Sequence, residues 1–375
     1  MGDKKIKVMF VLQDLAGNGA VRAALNLVRH LDRRRFQIVL FVLRRVGPCI
    51  SEVPADVPLV AASRRHRYKK FLVPYYLARL LRQARKCDII VGASNLRVTY
   101  FAYTVGYITR KPVIGWVQVI IDKWLENCRR WHSRAVGFVY PKFTRVVCIS
   151  DGIVPGLLRV APVKSENIRV IYDGYEIDTF VSKSTEAIPS WFTDVLNKPT
   201  LMALGRFSEE KGFDILLKAH ARVLQQGVDH NLVIVGSGPL RGDLEALARR
   251  LDVTESVFMP GYVHNPYPLL KNATALMLSS RHEGFSGAVV EALALGTPVV
   301  ATACGGPVES LSHGKYGILV EPGDVDSLAA GMTRILSDEA LRGKYSAAGP
   351  ERAESYRPEE RVGDWEKLLC EVLDL

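Results

Sequence analysis

The chain has 375 residues, of which 48% are apolar, and a formal net charge of +11. This length exceeds one ordinary hydrophobic core and fits two. No apolar run approaches the roughly 18 residues that a membrane-spanning helix needs, which argues against an integral membrane protein. The six cysteines are scattered and form no CxxC pair, which argues against a zinc site and favours a reducing, cytoplasmic location.

Strands and helices alternate in the first half of the chain. An amphipathic helix is predicted at 20–31, and strands are predicted at 5–12, 37–43, 88–94, 112–118, 145–150 and 167–174. The short apolar run of the first strand is not typical of a signal peptide. Strand–helix–strand units of this length predict a parallel sheet.

Residues 181–198 lose this pattern and are interpreted as a connector. The alternation then restarts, with helices predicted at 212–226 and 240–251 and strands at 200–206, 232–239 (with its loop), 257–263, 275–280, 298–302 and 317–322. An amphipathic helix is predicted at 358–375. We predict an α/β protein of two doubly wound domains, with the ligand in the cleft at the carboxyl ends of the strands.

The loop EGFSG (283–287) follows a predicted strand and leads into a predicted helix. The backbone N–H groups of Ser286 and Gly287 would point at an anion from the helix N-terminus. Glu283 and Glu291, eight positions apart, suit the neutral hydroxyls of a sugar and a ribose better than a phosphate. On spacing alone, a helix-dipole charge and a solvated glutamate explain the pair equally well.

A second loop, GRFSEEKG (205–212), ends the first strand of the second half. Arg206 and Lys211 could neutralise a diphosphate there, although on this loop alone two surface cations beside Glu209 and Glu210 are the better explanation. Glycine turns at 235–239 and 303–307 would allow backbone to approach a ligand closely.

Four segments together resemble the large retaining glycosyltransferase family 4, in order and in spacing: GRFSEEKG (205–212), EGFSGAVVEALALGTPVVAT (283–302), ACGGPVE (303–309) and YGILVEPGD (316–324). The resemblance implies the GT-B fold, in which two Rossmann-like domains face each other across a cleft. It implies an acceptor-binding domain at 1–180, a nucleotide-sugar-binding domain at 181–357, and a C-terminal helix at 358–375 that returns to the first domain.

The resemblance also implies roles for single residues. Arg206 and Lys211 would stabilise the leaving diphosphate, and Glu283 would bind hydroxyls of the donor sugar, which makes these three the expected catalytic residues. Glu291 would bind the ribose, and backbone at Tyr262 and Val263 would meet the base. The expected donor-binding set is Gly17, Gly19, Gly205, Gly236, Tyr262, Val263, Phe285, Ser286, Gly287 and Glu291. No metal and no cofactor is expected, because cations and a helix dipole take the role of a divalent ion.

Three positions depart from the family pattern. Val21 stands where an acidic residue is common, Gln118 where many members carry histidine, and Asp173 where the family usually shows asparagine. Glutamine cannot shuttle a proton near neutral pH, so Gln118 and Asp122 are acceptor-side candidates only, with His132 as a further substitute. A solvated loop residue is the simpler interpretation of Asp122 and of His132.

Residues 1–180 hold 31 Lys and Arg against 13 Asp and Glu. Within this basic half, segment 64–86 combines cations with aromatic and aliphatic residues, which predicts either a membrane-surface helix or an ordinary domain helix. No nucleic-acid-binding motif accompanies the charge. The expected partners are a nucleotide sugar (UDP favoured over GDP) and a glycan or lipid-linked acceptor, at the inner face of the cytoplasmic membrane, in polysaccharide or lipopolysaccharide synthesis.

Three other functions remain open at this point. A nucleotide-sugar epimerase or a phosphorylase can use the same two-domain frame. A nicotinamide dehydrogenase is disfavoured because Arg22 replaces the third glycine of its fingerprint. A non-catalytic protein that binds membranes or anions would have no reason to keep Arg206, Lys211 and Glu283 together.

Overall fold

The computed structural model describes residues 5–17, 19–63, 72–93, 96–126 and 128–373. The chain forms two compact units. The first unit is drawn from 1–175 and 358–375, and the second is 176–357. The chain therefore leaves the first unit once and comes back to it.

In the described part of the first unit, seven parallel strands form one sheet in the order β3-β2-β1-β4-β5-β6-β7. The strands are β1 Ile6–Leu12, β2 Phe36–Arg44, β3 Leu59–Ser63, β4 Ile89–Gly92, β5 Val113–Val117, β6 Arg145–Cys148 and β7 Ile168–Val170. The helices are α1 Gly19–His30, α2 Val73–Ala84, α3 Leu96–Thr109, α4 Ile121–Glu126, α5 Trp131–Val139 and α6 Val154–Val160, with α16 Pro358–Glu371 from the end of the chain.

The second unit has six parallel strands in the order β10-β9-β8-β11-β12-β13. They are β8 Thr200–Leu204, β9 Asn231–Val235, β10 Val257–Gly261, β11 Ala275–Leu278, β12 Val299–Thr302 and β13 Ile318–Val320. The helices are α7 Ile177–Lys183, α8 Ser190–Val195, α9 Phe213–Gln225, α10 Arg241–Arg250, α11 Tyr267–Asn272, α12 Gly287–Ala294, α13 Gly306–Ser310, α14 Val325–Ser337 and α15 Glu339–Glu354.

Both sheets are buried on both faces, and this explains their sequences. In β1, Val8 to Leu12 are fully buried without any polar interruption, as expected for a central strand of a parallel sheet covered by helices. In each unit the strand order reverses once, between β1 and β4 and between β8 and β11. Ligands of such sheets bind beyond the carboxyl ends of the strands at this switch point.

The last helix, α16, completes the first unit. It packs beside α1, and the ring of Trp365 lies 4.6 Å from that of Trp116 in β5. The Glu366 carboxylate accepts hydrogen bonds from the Asp32 backbone at 2.8 Å and from Arg35 at 3.1 Å. The predicted return of the C-terminal helix is therefore confirmed, and so is the predicted class of two doubly wound Rossmann-like domains.

The ends of each unit lie close together. In the first unit, a Cβ on Gly174 would come within 2.8 Å of the Cα of Pro358. In the second, both terminal nitrogens of Arg357 donate to the Asp178 carboxylate at 2.8 Å.

Two local predictions were incomplete. Strand β3 was not predicted, because Leu59–Ser63 is short and carries a weak apolar pattern. The predicted connector at 181–198 holds the end of α7 and all of α8, each a short helix with two buried side chains. Among the described residues, no helix is long and apolar enough to cross a membrane.

Candidate functional site

Two loops meet at the switch point of the second unit. One is 205–212, which follows β8, and the other is 279–286, which joins β11 to α12. Strands β8 and β11 are neighbours in the sheet, so their carboxyl ends bring both loops to the same edge. These are the two loops in which the sequence predicted the catalytic residues.

Lys211 and Glu283 form an ion pair at this edge. The Lys211 Nζ lies 2.6 Å from Glu283 Oε2, and the two side chains are 20% and 15% exposed. The Ser280 hydroxyl donates to the same carboxylate oxygen at 3.1 Å. No described residue donates to Glu283 Oε1, so that oxygen is able to accept hydrogen bonds from a ligand hydroxyl. The structure thus brings together two of the three predicted catalytic residues.

Backbone contacts fix the position of Lys211. Gly212 has φ 61°, and a Cβ there would lie 2.2 Å from the carbonyl oxygen of Ser279. The Ser279 hydroxyl in turn donates to the Lys211 carbonyl at 2.9 Å. Only glycine allows this close approach at this backbone conformation.

A second clamp joins the same loops. The Arg281 guanidinium donates two hydrogen bonds of 2.8 Å to the Asp214 carboxylate and a third of 2.8 Å to the Glu209 carbonyl. A bidentate pair of this kind fixes orientation as well as distance. Gly212, Ser279, Arg281 and Asp214 were not predicted as site residues, and the glycine directly after Lys211 was the available signal.

Arg206 lies apart from the ion pair. Its side chain is exposed, and no described carboxylate forms a salt bridge with it. The pKa of Glu210 is lowered despite the raising effect of burial, because Ser208 donates to the carboxylate at 2.6 Å and the charges of Lys211 and Arg206 are close by. The Arg206 guanidinium is therefore not neutralised by a salt bridge with any described carboxylate and is accessible to an anionic ligand.

The glycine turn after β9 packs directly on the Arg206 loop. Gly236 has φ 146°, and a Cβ on it would lie 1.8 Å from the Gly205 carbonyl oxygen. The methylene groups of Lys211 lie against Gly205 on the other side, 3.4 Å from where its Cβ would be. Because Gly205 and Gly236 have no side chains, a ligand can reach the backbone at this edge of the sheet.

Tyr262 and Val263 follow β10, beside the same turn. The Gly236 N–H donates to the Gly261 carbonyl at 2.9 Å, which ties the turn to the end of β10. Tyr262 is 70% exposed. The predicted contact of the backbone at Tyr262 and Val263 with a base stays a prediction.

The loop into α12 is buried and well supported. Phe285 and Ser286 are buried, and the Phe285 ring packs edge-on against Tyr356 at 5.4 Å. Ser286 is the residue before the helix, so the N–H groups of the first turn, beginning with Gly287, have no partner within the helix. Glu291 lies one turn further on, half-buried, and is not part of the Lys211–Glu283 pair.

In the first unit, Gly17 and Gly19 flank the start of α1. Gly17 has φ 79°, and its carbonyl accepts a hydrogen bond from Arg22 Nε at 3.3 Å. Gly19 is the first residue of the helix and has open space around its Cα. Both lie in the loop after β1, at the switch point of their own sheet.

Gln118 follows β5 and is the most unusual acceptor-side residue. Both polar atoms of its amide are buried, and neither has a hydrogen-bond partner among the described residues. Buried amides are normally paired, so Gln118 is poised to bind a polar ligand. Asp122 Oδ2 accepts a hydrogen bond from Arg159 at 2.7 Å, whereas Asp122 Oδ1 is buried without a partner among the described residues. His132 lies 3.1 Å from the Tyr100 hydroxyl.

Asp173 lies in a small cavity behind β7. Its Oδ1 atom, Trp116 Nε1 and Arg361 Nε all line this cavity, and all three are buried without a hydrogen-bond partner in the described chain. Burial raises the pKa of the Asp173 carboxyl to about 7. The departure from asparagine at this position thus introduces a group that titrates near neutral pH.

Segment 64–86 is described only in part. Residues 64–71 lie outside the described residues, so the prediction for them has no structural counterpart. The remainder forms α2, which buries Tyr76, Leu80 and Ala84. That helix therefore packs on its own unit and presents its cations outward.

The candidate site of the second unit thus combines a cation–carboxylate pair, glycine-containing loops and a helix N-terminus at the switch point of a Rossmann-like sheet. Residues 17–179 match the model described as Glycosyltransferase Family 4, and residues 190–352 match the one described as Glycosyl transferases group 1. The chain belongs to this family of glycosyltransferases.

Curated relatives carry glycosyltransferase names. The chain is 28% identical over 222 residues to the N-acetylgalactosamine-N,N'-diacetylbacillosaminyl-diphospho-undecaprenol 4-alpha-N-acetylgalactosaminyltransferase of Campylobacter jejuni, covering 59% of this chain and 58% of the relative. It is 35% identical over 153 residues to the lipopolysaccharide core biosynthesis glycosyltransferase LpsE of Rhizobium meliloti, covering 41% and 44%. The chain thus spans about half the length of the curated relatives it matches.

Solved structures share the fold over the whole chain. Anabaena HepE in complex with UDP and glucose has a TM-score of 0.82 at 20% identity, covering 98% of this chain and 100% of that one. The lipopolysaccharide outer core galactosyltransferase WaaB has a TM-score of 0.73 at 17% identity, covering 98% and 99%. These likenesses confirm the predicted GT-B fold class.

Proposed function

We propose that this protein transfers a sugar from a nucleoside diphosphate sugar to a glycan or lipid-linked acceptor, in the synthesis of lipopolysaccharide or another cell-surface polysaccharide. The observation that carries the proposal is the Lys211–Glu283 pair at the switch point of the second unit. Its position suits a ligand that combines phosphate charge with sugar hydroxyls. The epimerase, phosphorylase and non-catalytic alternatives gain no support from relatives that carry transferase names.

In this proposal the donor diphosphate lies over loop 205–212. Arg206 and Lys211 bind its oxygens and stabilise the negative charge that develops as the sugar bond breaks. The α12 N-terminus, through Ser286 and Gly287, adds N–H groups and a positive dipole end. No metal ion is required in this scheme, because these groups supply the positive charge.

Glu283 Oε1 accepts hydrogen bonds from the donor sugar and fixes the anomeric carbon relative to the leaving group. Glu291 binds the ribose, and Tyr262 and Val263 border the base. The acceptor hydroxyl attacks from the side that the diphosphate leaves, the leaving phosphate oxygen takes its proton, and the configuration of the sugar is retained. Gln118 and Asp122 would contact the acceptor. We propose UDP over GDP as the donor nucleotide, in line with the UDP of the HepE structure.

The test is calorimetry with UDP, GDP, ADP, NAD and NADP, with and without EDTA, followed by transfer assays with the matching sugars. Wild type, Arg206→Ala and Lys211→Ala are compared with Arg249→Ala, which removes an exposed cation at the far end of α10. The proposal is supported if UDP binds selectively, if EDTA does not affect this binding, and if the two loop variants bind UDP more weakly. It is also supported if the anomeric carbon of the transferred sugar has the same configuration in the product as in the donor. Binding of a nicotinamide cofactor, or an inverted product, would overturn it.

A further inference from the structure

We propose that the outer surface of α3 and α5 docks onto an anionic lipid bilayer. We call this surface the aromatic face and define it by Tyr107, Ile108, Trp131 and Phe138, with the cations Arg97, Arg110, Arg134 and Lys142 around them. It lies wholly within the first unit and uses none of the residues of the donor site.

The aromatic face is unusually apolar for a protein surface. Its four large side chains are among the most exposed apolar residues described: Tyr107 76%, Phe138 58%, Trp131 51% and Ile108 49%. Single exposed apolar residues are ordinary, whereas a contiguous group marks an interaction site.

Ring contacts show that the group is contiguous. Tyr103, on α3, lies 6.2 Å from Tyr107 on the same helix and 6.4 Å from Phe138 on α5, measured between ring centroids. Tyr100 lies 5.9 Å from Trp131 in the same way. Ring contacts thus join α3 to α5 at two places, through Tyr100 and through Tyr103, which lie about one turn apart on α3.

The charge around these rings has one sign. Residues 96–110 and 128–150 contain no Asp or Glu. Arg97, Arg110, Arg134 and Lys142 are all exposed, and the Lys142 ammonium lies 3.2 Å above the Phe138 ring. Acidic side chains on neighbouring elements are paired with other cations: Asp122 with Arg159, Glu126 with Lys123 and Asp88 with Lys111.

These two properties together favour a bilayer as the partner. A membrane interface with anionic headgroups supplies, at the same depth, an apolar environment for Ile108 and Phe138 and anions for Arg110, Arg134 and Lys142. Trp and Tyr are the side chains that settle at this interface. A nucleic acid would satisfy the cations and leave Ile108 exposed to water.

The neighbouring helix continues the surface. α2 packs beside α3. Its Tyr75 is exposed and accepts a hydrogen bond from Arg79 at 3.1 Å. The described part of segment 64–86 therefore presents another exposed aromatic and another exposed cation on a helix that packs beside α3.

The test is flotation of the full chain with phosphatidylcholine vesicles, with and without phosphatidylglycerol. One variant combines Tyr107→Ser with Phe138→Ser, and another combines Arg97→Ala with Arg134→Ala. The matched controls lie in the second unit. Val181→Ser removes one exposed apolar side chain, and the double variant Arg249→Ala with Arg250→Ala removes two exposed cations. All the substituted side chains are exposed, and the thermal midpoint and nucleotide binding of each variant report whether it is folded.

We expect wild type and controls to bind phosphatidylglycerol vesicles, and both face variants to bind at least 10-fold more weakly, since each cation contributes about 1 kcal/mol. Added salt should weaken binding by wild type. The proposal would be overturned if wild type did not bind these vesicles, or if the face variants bound them as tightly as wild type. It would also be overturned if an oligonucleotide displaced the protein from the vesicles. Because nucleotide binding is measured on the same proteins, failure of the aromatic face and failure of the proposed function give different results.

Discussion

The ammonium nitrogen of Lys211 lies 2.6 Å from a carboxylate oxygen of Glu283, although 72 positions separate the two residues in the chain. The pair holds both side chains in place and leaves the site with little net charge before a ligand arrives. A diphosphate would therefore compete with Glu283 for the same ammonium group. Because of this competition, substitutions of Lys211 and of Glu283 should change nucleotide affinity in different ways.

Lys211→Ala should abolish most of the affinity for a nucleoside diphosphate. A charge-assisted contact to phosphate is worth roughly 1.5–3 kcal/mol, so affinity should fall about 10- to 100-fold, and kcat/KM further. Calorimetry with UDP and a transfer assay measure both effects. The control is Lys198→Ala, which breaks the exposed pair of Lys198 with Asp229 at 2.9 Å in the same unit. Equal losses in the two variants would contradict a specific role for Lys211.

Glu283→Gln should separate binding from transfer. The glutamine keeps the shape of the side chain but frees the Lys211 charge for phosphate, so UDP affinity should stay equal or rise several-fold. The transfer rate should fall about 100-fold or more, because the sugar loses a charged hydrogen-bond acceptor. Single-turnover assays beside calorimetry measure the two quantities. A parallel loss of both would mean that Glu283 only positions Lys211.

Gly212→Ala should destabilise the second unit and the site together. The Cβ would meet the Ser279 carbonyl at 2.2 Å in a left-handed backbone conformation, and we expect a loss of about 2–5 kcal/mol in the free energy of unfolding. Gly227→Ala is the matched control, because Gly227 has φ 81° with no atom within 4 Å of its Cβ position. That control should cost only about 1–2 kcal/mol. Urea unfolding compares the two, and a similar cost in both would show that the contact with Ser279 relaxes freely.

Asp173 should make the first unit less stable as pH rises. Its pKa in the folded state is raised to about 7 from an ordinary value near 3.8, so the folded state binds more protons between these values. Stability from this group is complete below pH 4 and is lost as pH rises through 7. Asp173→Asn should remove this loss and stabilise the protein at pH 8 by up to about 4 kcal/mol. Urea unfolding at pH 5 and pH 8, with Asp243→Asn on exposed α10 as control, tests the difference; an unchanged slope in Asp173→Asn would contradict it.

The order of the strands other than β3 could be predicted from the sequence because buried parallel strands leave apolar runs, such as Val8–Leu12 in β1 and Leu201–Leu204 in β8. Several helices, α3, α14 and α15 among them, were not predicted. Strand Leu59–Ser63 escaped prediction because its apolar run is only four residues long and mostly half-buried. Loops 205–212 and 279–286 were also singled out from the sequence, because each follows a predicted strand and carries glycine and charged residues; that their strands are neighbours is visible only in the structure.

The pairing inside the site could not be predicted. Lys211 meets Glu283 only because Gly212 lets the backbone touch Ser279, and that geometry depends on two strands that are distant in the chain. The two 2.8 Å hydrogen bonds from Arg281 to Asp214 depend on the same contact. The burial of the Gln118 amide likewise depends on the folded unit and could not be predicted from the residues next to it in the sequence.

The return of α16 to the first unit has a consequence for how the protein is made. During synthesis, all of 176–357 is translated before Pro358–Glu371, so the second unit has its complete chain while the first still lacks the helix that covers Trp116. The usual order, in which the N-terminal domain matures first, is reversed here. Until α16 has been synthesised, the first unit lacks the helix that covers Trp116, although all its other elements were made before the second unit.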